Sequence, residues 1–121
     1  MALVVGNGYS RDQIVRELGV SGDQRDRAVL LSGNTVAAIV IKQNGVNPFN
    51  GKTYANALTA KSLIMQGEND DRGHRLENTN VTVRLFFSTK NDGLFRYEGA
   101  VRYTGQMSVP GEPIRQFERV P

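Results

Sequence analysis

The sequence predicts an α+β domain that is mostly β: a small curved antiparallel barrel with one helix at its N-terminal end. Three observations predict this class, namely one helix signal near the start, about six strand-like segments after it, and turn motifs between them. Because a small open sheet leaves unpaired backbone groups at its edges, we expect the strands to close into a barrel. The 121 residues contain no repeat or linker, so we expect a single domain over residues 1–121.

The helix signal begins at Ser10 and ends at Gly19. Ser10 and Gln13 form the S-x-x-Q pattern of a capping box, in which each side chain bonds the backbone of the other residue. Ile14 and Leu18 lie on one apolar face, and a glycine at the end of such a pattern is a common helix stop. The sequence therefore predicts a helix of two to three turns, counted at roughly 3.6 residues per turn.

Six segments have the composition or alternation of strands. They are residues 27–31, 35–42, 61–66, 81–88, 94–103 and 114–120. The second is almost continuously apolar and β-branched, which indicates a strand buried on both faces. Asp92-Gly93 predicts a hairpin between the fourth and fifth segments, and Gly99 inside the fifth predicts a bulge. Residues 54–58 are expected to form a short helical turn.

The composition excludes several kinds of site. There is no cysteine, which excludes disulfides and thiolate metal ligands and fits a reducing compartment, so we expect the protein in the cytoplasm. No apolar run approaches the ~20 residues of a membrane span. One histidine and the absence of a G-x-S-x-G motif disfavour a catalytic triad. The net charge is +3, and 11 of the 15 basic residues are arginine, which suits phosphate binding.

The most polar part of the chain, residues 67–80, lies between two predicted strands, and residues 66–78 form a polar loop there. It mixes amides, carboxylates and arginines, which are the groups that read base edges and phosphates. Phe49 and Tyr54 precede it and offer aromatic faces on which bases stack. Two interpretations stay open, because these aromatic residues also suit an ordinary core and the polar segment also suits a solvated loop.

Several short motifs follow one another in a specific order. They are Gly8-Tyr9-Ser10-Arg11-Asp12-Gln13-Ile14, Tyr54 to Asn56, Gly67-Glu68, Gly73, Asn78, Val83-Arg84-Leu85-Phe86-Phe87 and Phe95-Arg96-Tyr97-Glu98-Gly99-Ala100-Val101. This order resembles that of the SRA-like (SET- and RING-associated) reader domains of bacterial modification-dependent restriction systems, which have SRA/PUA-like barrels. The resemblance covers nearly the whole chain. The sequence departs from it at Asn56 and near His74, where the family usually has acidic residues, and at Met65-Gln66, where an aromatic residue is common.

The resemblance implies a module that binds duplex DNA and flips a modified base, typically a modified cytosine, into a pocket. Tyr54 would stack on the base, and Asn56 would read its edge. The base-binding residues are then expected to be Tyr54, Asn56, Gln66, Glu68 and Phe49. The residues expected at the DNA backbone, or in the gap that the flipped base leaves, are Arg72, His74, Arg75, Arg11, Lys42 and Lys52.

Three functions remain open at this point. The leading hypothesis is a binding module without enzyme activity of its own, whose nuclease lies in another domain or in a partner subunit. The second is a protein-interaction or assembly module on the same barrel. The third is a metal-dependent nuclease that uses Glu68, Asp70 and Asp71, although their spacing matches no known ligand pattern. We expect no metal, no other cofactor and no membrane partner.

Overall fold

The computed structural model describes residues 3–33, 36–43, 56–66, 71–78, 81–90, 92–107 and 114–120. Its strands are β1 (Gly8–Tyr9), β2 (Val29–Ser32), β3 (Val36–Lys42), β4 (Asn56–Leu58), β5 (Ser62–Gln66), β6 (Thr82–Ser88), β7 (Phe95–Met107) and β8 (Ile114–Arg119). Its helices are α1 (Arg11–Leu18) and α2 (Asp71–Arg75), with a 3-10 turn at Gly22–Gln24. The eight strands form one sheet in the order β2-β3-β6-β7-β8-β5-β4, and β1 pairs with β7.

Helix α1 forms where the capping box predicts it. Ser10 Oγ accepts a hydrogen bond from the Gln13 amide at 3.2 Å, and Gln13 Oε1 accepts one from the Ser10 amide at 2.8 Å. Gly19 ends the helix in the left-handed region with φ 66°. The predicted helix is confirmed. In the described part of the chain, no helix has the length and apolarity needed to span a membrane.

The six predicted strands are present. The short strand β1 and the second helix, α2, are additional to the expected elements, and two further features correct the prediction. Residues 56–58 are strand β4 rather than part of a helical turn, because they pair with β5 through Asn56↔Met65 and Leu58↔Leu63, and tertiary pairing overrides local preference. The sheet is also not wholly antiparallel. Strands β3 and β6 run parallel, with Val36 opposite Thr82 and Lys42 opposite Ser88, and the chain between them contributes β4 and β5 at the far end of the strand order.

The predicted bulge lies at Gly99 on β7. The β6–β7 register shifts between Leu85 and Phe86, and Gly99 has φ 87°, a conformation that side-chain-bearing residues rarely adopt. Strand β7 is long enough for its N-terminal half to pair with β6 and β1 and its C-terminal part to pair with β8.

The sheet has apolar clusters on both faces. The inner cluster comprises Val29, Ala37, Ile39, Ile41, Leu63, Met65, Leu76, Val83, Leu85, Phe87, Val101 and Phe117, and the outer cluster comprises Tyr9, Ile14, Leu30, Ala38, Val40, Phe86, Phe95 and Tyr97. Alternate residues of β3 enter the two clusters, which confirms that this strand is buried on both faces. Helix α1 covers the outer cluster through Ile14.

The sheet curls around its inner cluster. Strands β3 and β4 stand five places apart in the strand order, which would be about 24 Å in a flat sheet. Asn56 Nδ2 nevertheless donates to the Lys42 carbonyl at 2.9 Å. This contact is made by a side chain. Since the described residues include no backbone ladder joining the two ends of the sheet, the predicted closure into a barrel is not confirmed.

The outer edge of β2 is covered by side chains. The Leu31 amide donates to Gln24 Oε1 at 3.0 Å, and Gln24 Nε2 donates to the Leu31 carbonyl at 3.2 Å. The Val29 carbonyl on the same edge accepts from Arg72 Nη1 at 3.3 Å. These contacts satisfy backbone groups that would otherwise offer a template for another strand.

Candidate nucleic-acid interface

The described part of the predicted polar segment between β5 and β6 is short but ordered. Residues 71–78, which we call the strap, comprise α2 and two turns in which Leu76 and Glu77 donate to the carbonyls of Gly73 and His74 at 3.1 and 3.2 Å. A five-residue helix is too short to persist by itself in water. The position of the strap therefore depends on contacts with the rest of the fold.

One set of contacts attaches the strap to β2. Arg72 Nη1 donates to Gln24 Oε1 at 2.7 Å, in addition to its bond with the Val29 carbonyl. Arg75 Nη1 lies 3.4 Å from the Gly33 carbonyl, at the end of the same strand. The Arg72 side chain is half-buried by these contacts, whereas Arg75 is exposed.

A second set of contacts attaches the strap to β8. Arg115 is completely buried and its Nε donates to Glu77 Oε1 at 3.0 Å. The other carboxylate oxygen of Glu77 lies 3.6 Å from His74 Nδ1, and the His74 side chain is 55% exposed. Leu76, between these two residues, is buried in the inner cluster. The strap thus has an apolar anchor and a charged anchor on its inner side.

These two attachments place the strap across the inner face of the sheet. Strands β2 and β8 stand four places apart in the strand order, about 19 Å in a flat sheet, yet the strap reaches both within a few residues. The curl of the sheet brings them close enough. The exposed side chains of the strap, His74 and Arg75, consequently lie over one side of the curled sheet.

Three other predicted site residues meet at the ends of β3, β4 and β5. Asn56 is only 5% exposed, and its Oδ1 accepts from the Gln66 amide at 3.2 Å while its Nδ2 bonds the Lys42 carbonyl. Lys42 is exposed and Gln66 is half-buried. Met65 pairs with Asn56 on one side and with Arg115 on the other, so this group adjoins the strap's anchor on β8.

Arg11 lies apart from these residues, on the side of the sheet that α1 covers. Its Nη1 donates to the carbonyls of Arg25 and Arg27, each at 3.0 Å, and its guanidinium lies 4.8 Å from the centre of the Phe95 ring. Burial lowers the pKa of Arg11, the Asp26 charge opposes this shift, and the neighbouring Arg25 adds to it. These contacts join α1 to the segment before β2.

The remaining predicted residues cannot be placed. Phe49, Lys52, Tyr54 and Glu68 lie outside the described residues, as does Asp70. Among the residues that are described, no group of three or more histidines and carboxylates is arranged to hold a metal ion.

Sequence reasoning did not single out Arg115, Glu77 or Gln24 as important. One signal was available for Arg115. Arg115 and Phe117 stand two residues apart in β8, so their side chains lie on the same face of the strand. A cation at an apolar position of a strand indicates a buried charge, which requires a partner. The sequence pattern does not identify that partner, because Glu77 is 38 residues away in the sequence.

The fold is similar to that of a solved chain described as the DNA modification-dependent restriction endonuclease AspBHI. The superposition has a TM-score of 0.54 and a sequence identity of 14%, and it covers 98% of this chain and 74% of that chain. At this identity the likeness concerns the fold, and the SRA-like assignment itself stays a prediction. No protein-family model matches the sequence. No curated protein matches it either.

Proposed function

We propose that this chain is a DNA-binding module that recognises a modified base for a modification-dependent restriction system. The observation that carries the proposal is the fold similarity, over 98% of the chain, to a protein described as a DNA modification-dependent restriction endonuclease. The arginine-rich composition and the exposed Arg75 of the strap support it.

The proposal assigns phosphate contacts to three exposed side chains that carry N–H donors. His74 and Arg75 extend from the strap itself, and Lys42 lies at the end of β3, where its carbonyl accepts from Asn56 Nδ2. Arg72 has a different role in this proposal, because its guanidinium bonds Gln24 and the Val29 carbonyl. We therefore assign Arg72 to holding the strap and the others to binding DNA.

The base pocket is proposed to lie between the strap and the ends of β4 and β5. Asn56 is buried, and both polar atoms of its amide are hydrogen-bonded, so we assign it to the wall of this pocket. Gln66 is half-buried beside it and suits an edge-reading role. Tyr54 and Phe49 would stack on the base, and Glu68 would accept a hydrogen bond from the exocyclic amine of cytosine.

Binding to three matched duplexes tests this function directly. The duplexes would contain cytosine, 5-methylcytosine or 5-hydroxymethylcytosine at one position, and affinity would be measured by fluorescence anisotropy at about 50 and 200 mM salt. We expect tighter binding to a modified duplex and weaker binding at the higher salt concentration. Absence of binding to all three duplexes at the lower concentration would refute the proposal.

A pair of exposed arginines provides the matched control. Arg75→Gln, on the strap, should weaken binding to every duplex and reduce the salt dependence by about one phosphate contact. Arg16→Gln, on the exposed side of α1, removes the same charge from the other face of the sheet and should leave binding unchanged. Equal effects of the two substitutions would contradict the assignment of the strap to DNA.

We also propose that cleavage belongs to another domain or subunit. Incubation of the chain with modified and unmodified plasmids and Mg²⁺ should leave both intact. Cutting of either plasmid by the purified chain would favour the metal-dependent nuclease instead.

A second candidate function, a protein-interaction module, is favoured by several exposed apolar side chains. Val4, Val5, Leu94 and Val120 are 43–60% exposed. Val5 packs beside Gly99, and the Val120 amide bonds the Ala100 carbonyl at 3.0 Å, so two of these residues lie together near the bulge of β7. Exposed apolar groups of this kind often mark protein contacts. Self-association by analytical ultracentrifugation that persists at high salt would support this function.

A further inference from the structure

Arg115 is an unusual residue for the interior of a small sheet. It has 0% exposure, and its side chain lies beside that of the buried Phe117 on the inner face of β8. Burying a guanidinium costs several kcal/mol unless it is paired and hydrogen-bonded. Apolar residues of similar volume commonly stabilise such a position as well or better. Stability alone therefore does not explain an arginine here.

The ion pair of Arg115 leads directly to the exposed part of the strap. Glu77 Oε1 accepts from Arg115 Nε at 3.0 Å, and Glu77 Oε2 lies 3.6 Å from His74 Nδ1. The Glu77 side chain is 27% exposed and that of His74 is 55% exposed. One carboxylate thus lies between a cation in the core and an imidazole in solvent, which restricts the rotamers of both glutamate and histidine.

Two other anchors of the strap contact different parts of the fold. Arg72 bonds Gln24 and the Val29 carbonyl on β2, and Leu76 is packed in the inner cluster. These contacts hold the start and the middle of the strap. Arg115 holds the end that turns back toward β6.

We propose that Arg115 is a positioning residue for DNA recognition. It fixes Glu77 and, through Glu77, the end of the strap and the His74 imidazole in the arrangement that meets the DNA backbone. This inference rests on the proposed DNA-binding function, and in it the exposed side chains of the strap contact DNA while Arg115 does not.

A double-mutant cycle with a matched control tests the inference. The variants are Arg115→Met, Glu77→Gln, the two combined, and Arg115→Lys. The control is Arg102→Met, which removes an arginine from an exposed ion pair with Glu118 on the outer face of β7 and β8. Each protein would be titrated with the duplex that the wild type prefers. The His74 side-chain resonances and the exchange of the Glu77 and Asn78 amides would be measured without DNA.

We expect Arg115→Met and Glu77→Gln each to weaken binding about tenfold, which corresponds to about 1.4 kcal/mol. The combined variant should bind no more weakly than the weaker single variant, because both changes interrupt the same contact. Arg115→Lys should restore part of the affinity, since it returns a charge to Glu77. Glu77→Gln should also shift the His74 resonances, whereas Arg102→Met should change neither affinity nor spectrum.

The outcomes separate this inference from the proposed function. If the wild type binds a duplex and Arg115→Met binds it equally well, the inference is wrong while the proposed function stands. If the wild type binds none of the duplexes, both are wrong. Amide protection of Leu85 and Phe86 reports whether the sheet remains folded. If Arg115→Met unfolds the sheet, the Glu77→Gln variant provides the test instead. A Glu77→Gln protein with the affinity and the His74 resonances of the wild type would overturn the inference.

Discussion

The two helices lie against opposite faces of one sheet and are held in place by different means. Helix α1 has a capping box at its start, a left-handed glycine at its end and a buried Ile14 on the outer face. The strap contains a helix of only five residues and is attached by Arg72 to β2, by Leu76 to the inner cluster and by Glu77 to β8.

This difference separates an element defined by its own sequence from one defined by its surroundings. The capping contacts of α1 come from residues within the helix or directly next to it, and one further bond at its end comes from Ser32 Oγ, which donates to the Leu18 carbonyl at 2.8 Å. The strap depends on partners from distant parts of the chain, so it forms only when the curled sheet is complete. Its exposed His74 and Arg75 are positioned by the whole fold, which suits a surface that must match the shape of a ligand.

The largest expected effect comes from removing the apolar anchor on each face. Ile14→Ala and Leu76→Ala both delete a fully buried side chain, so each should destabilise the fold by about 2–5 kcal/mol. Below their unfolding temperatures, only Leu76→Ala should also weaken DNA binding, because it releases the strap. Urea unfolding and DNA titration measure the two effects. A comparable loss of affinity in Ile14→Ala would show that the outer face of the sheet affects DNA binding as much as the strap does.

A smaller effect is expected at Gln24, which connects the strap to the edge of β2. Gln24→Ala removes the side chain that bonds the Leu31 amide, the Leu31 carbonyl and Arg72. The loss of these bonds should lower the free energy of unfolding by about 1–3 kcal/mol. The uncovered edge should also promote association between molecules. Gln116→Ala, in a strand paired on both sides, is the control. Light scattering that is identical for the two variants would argue against edge protection by Gln24.

The cap of α1 should matter for stability and not for binding. Ser10→Ala removes the acceptor for the Gln13 amide and should reduce the free energy of unfolding by about 1 kcal/mol. Because α1 lies on the face away from the strap, DNA affinity should remain that of the wild type. A loss of affinity larger than the unfolded fraction of the variant accounts for would show that α1 influences the strap.

The smallest effect is expected at the exposed ion pair between Arg102 and Glu118. The Arg102 side chain is 64% exposed, and exposed pairs contribute about 0–1 kcal/mol. Arg102→Met should therefore leave the unfolding midpoint nearly unchanged in moderate salt. A large destabilisation would mean that the outer face of β7 and β8 contributes more to the fold than its exposure suggests.

The sequence contained enough information for the elements whose signals are local. The capping box at Ser10, the Asp92-Gly93 hairpin and the bulge at Gly99 all depend on residues within a few positions of each other. Strand β4 was not predicted, because only its pairing with β5 determines its conformation. The parallel arrangement of β3 and β6 was not predicted either, since alternation shows that a strand exists and not which strand lies beside it.

The location of the candidate site could be predicted from the sequence, but the contacts that hold its side chains in place could not. The polar segment was singled out, and its described part carries the exposed His74 and Arg75. Arg72 was expected at the DNA, whereas its guanidinium bonds Gln24, which is 48 residues away in the sequence. A single sequence does not show which charged side chains find partners at such separations.

The parallel pairing of β3 with β6 also has a consequence for how the protein acquires its fold. Val36 pairs with Thr82, so the chain must close a loop of 46 residues (82 − 36) before this central ladder can form. The β2–β3 and β6–β7 hairpins involve nearby residues and should form on a faster timescale. We expect folding in milliseconds to seconds, as for other domains rich in non-local contacts. The strap lies within that loop, so the proposed DNA-binding surface should form only after such non-local contacts have been made.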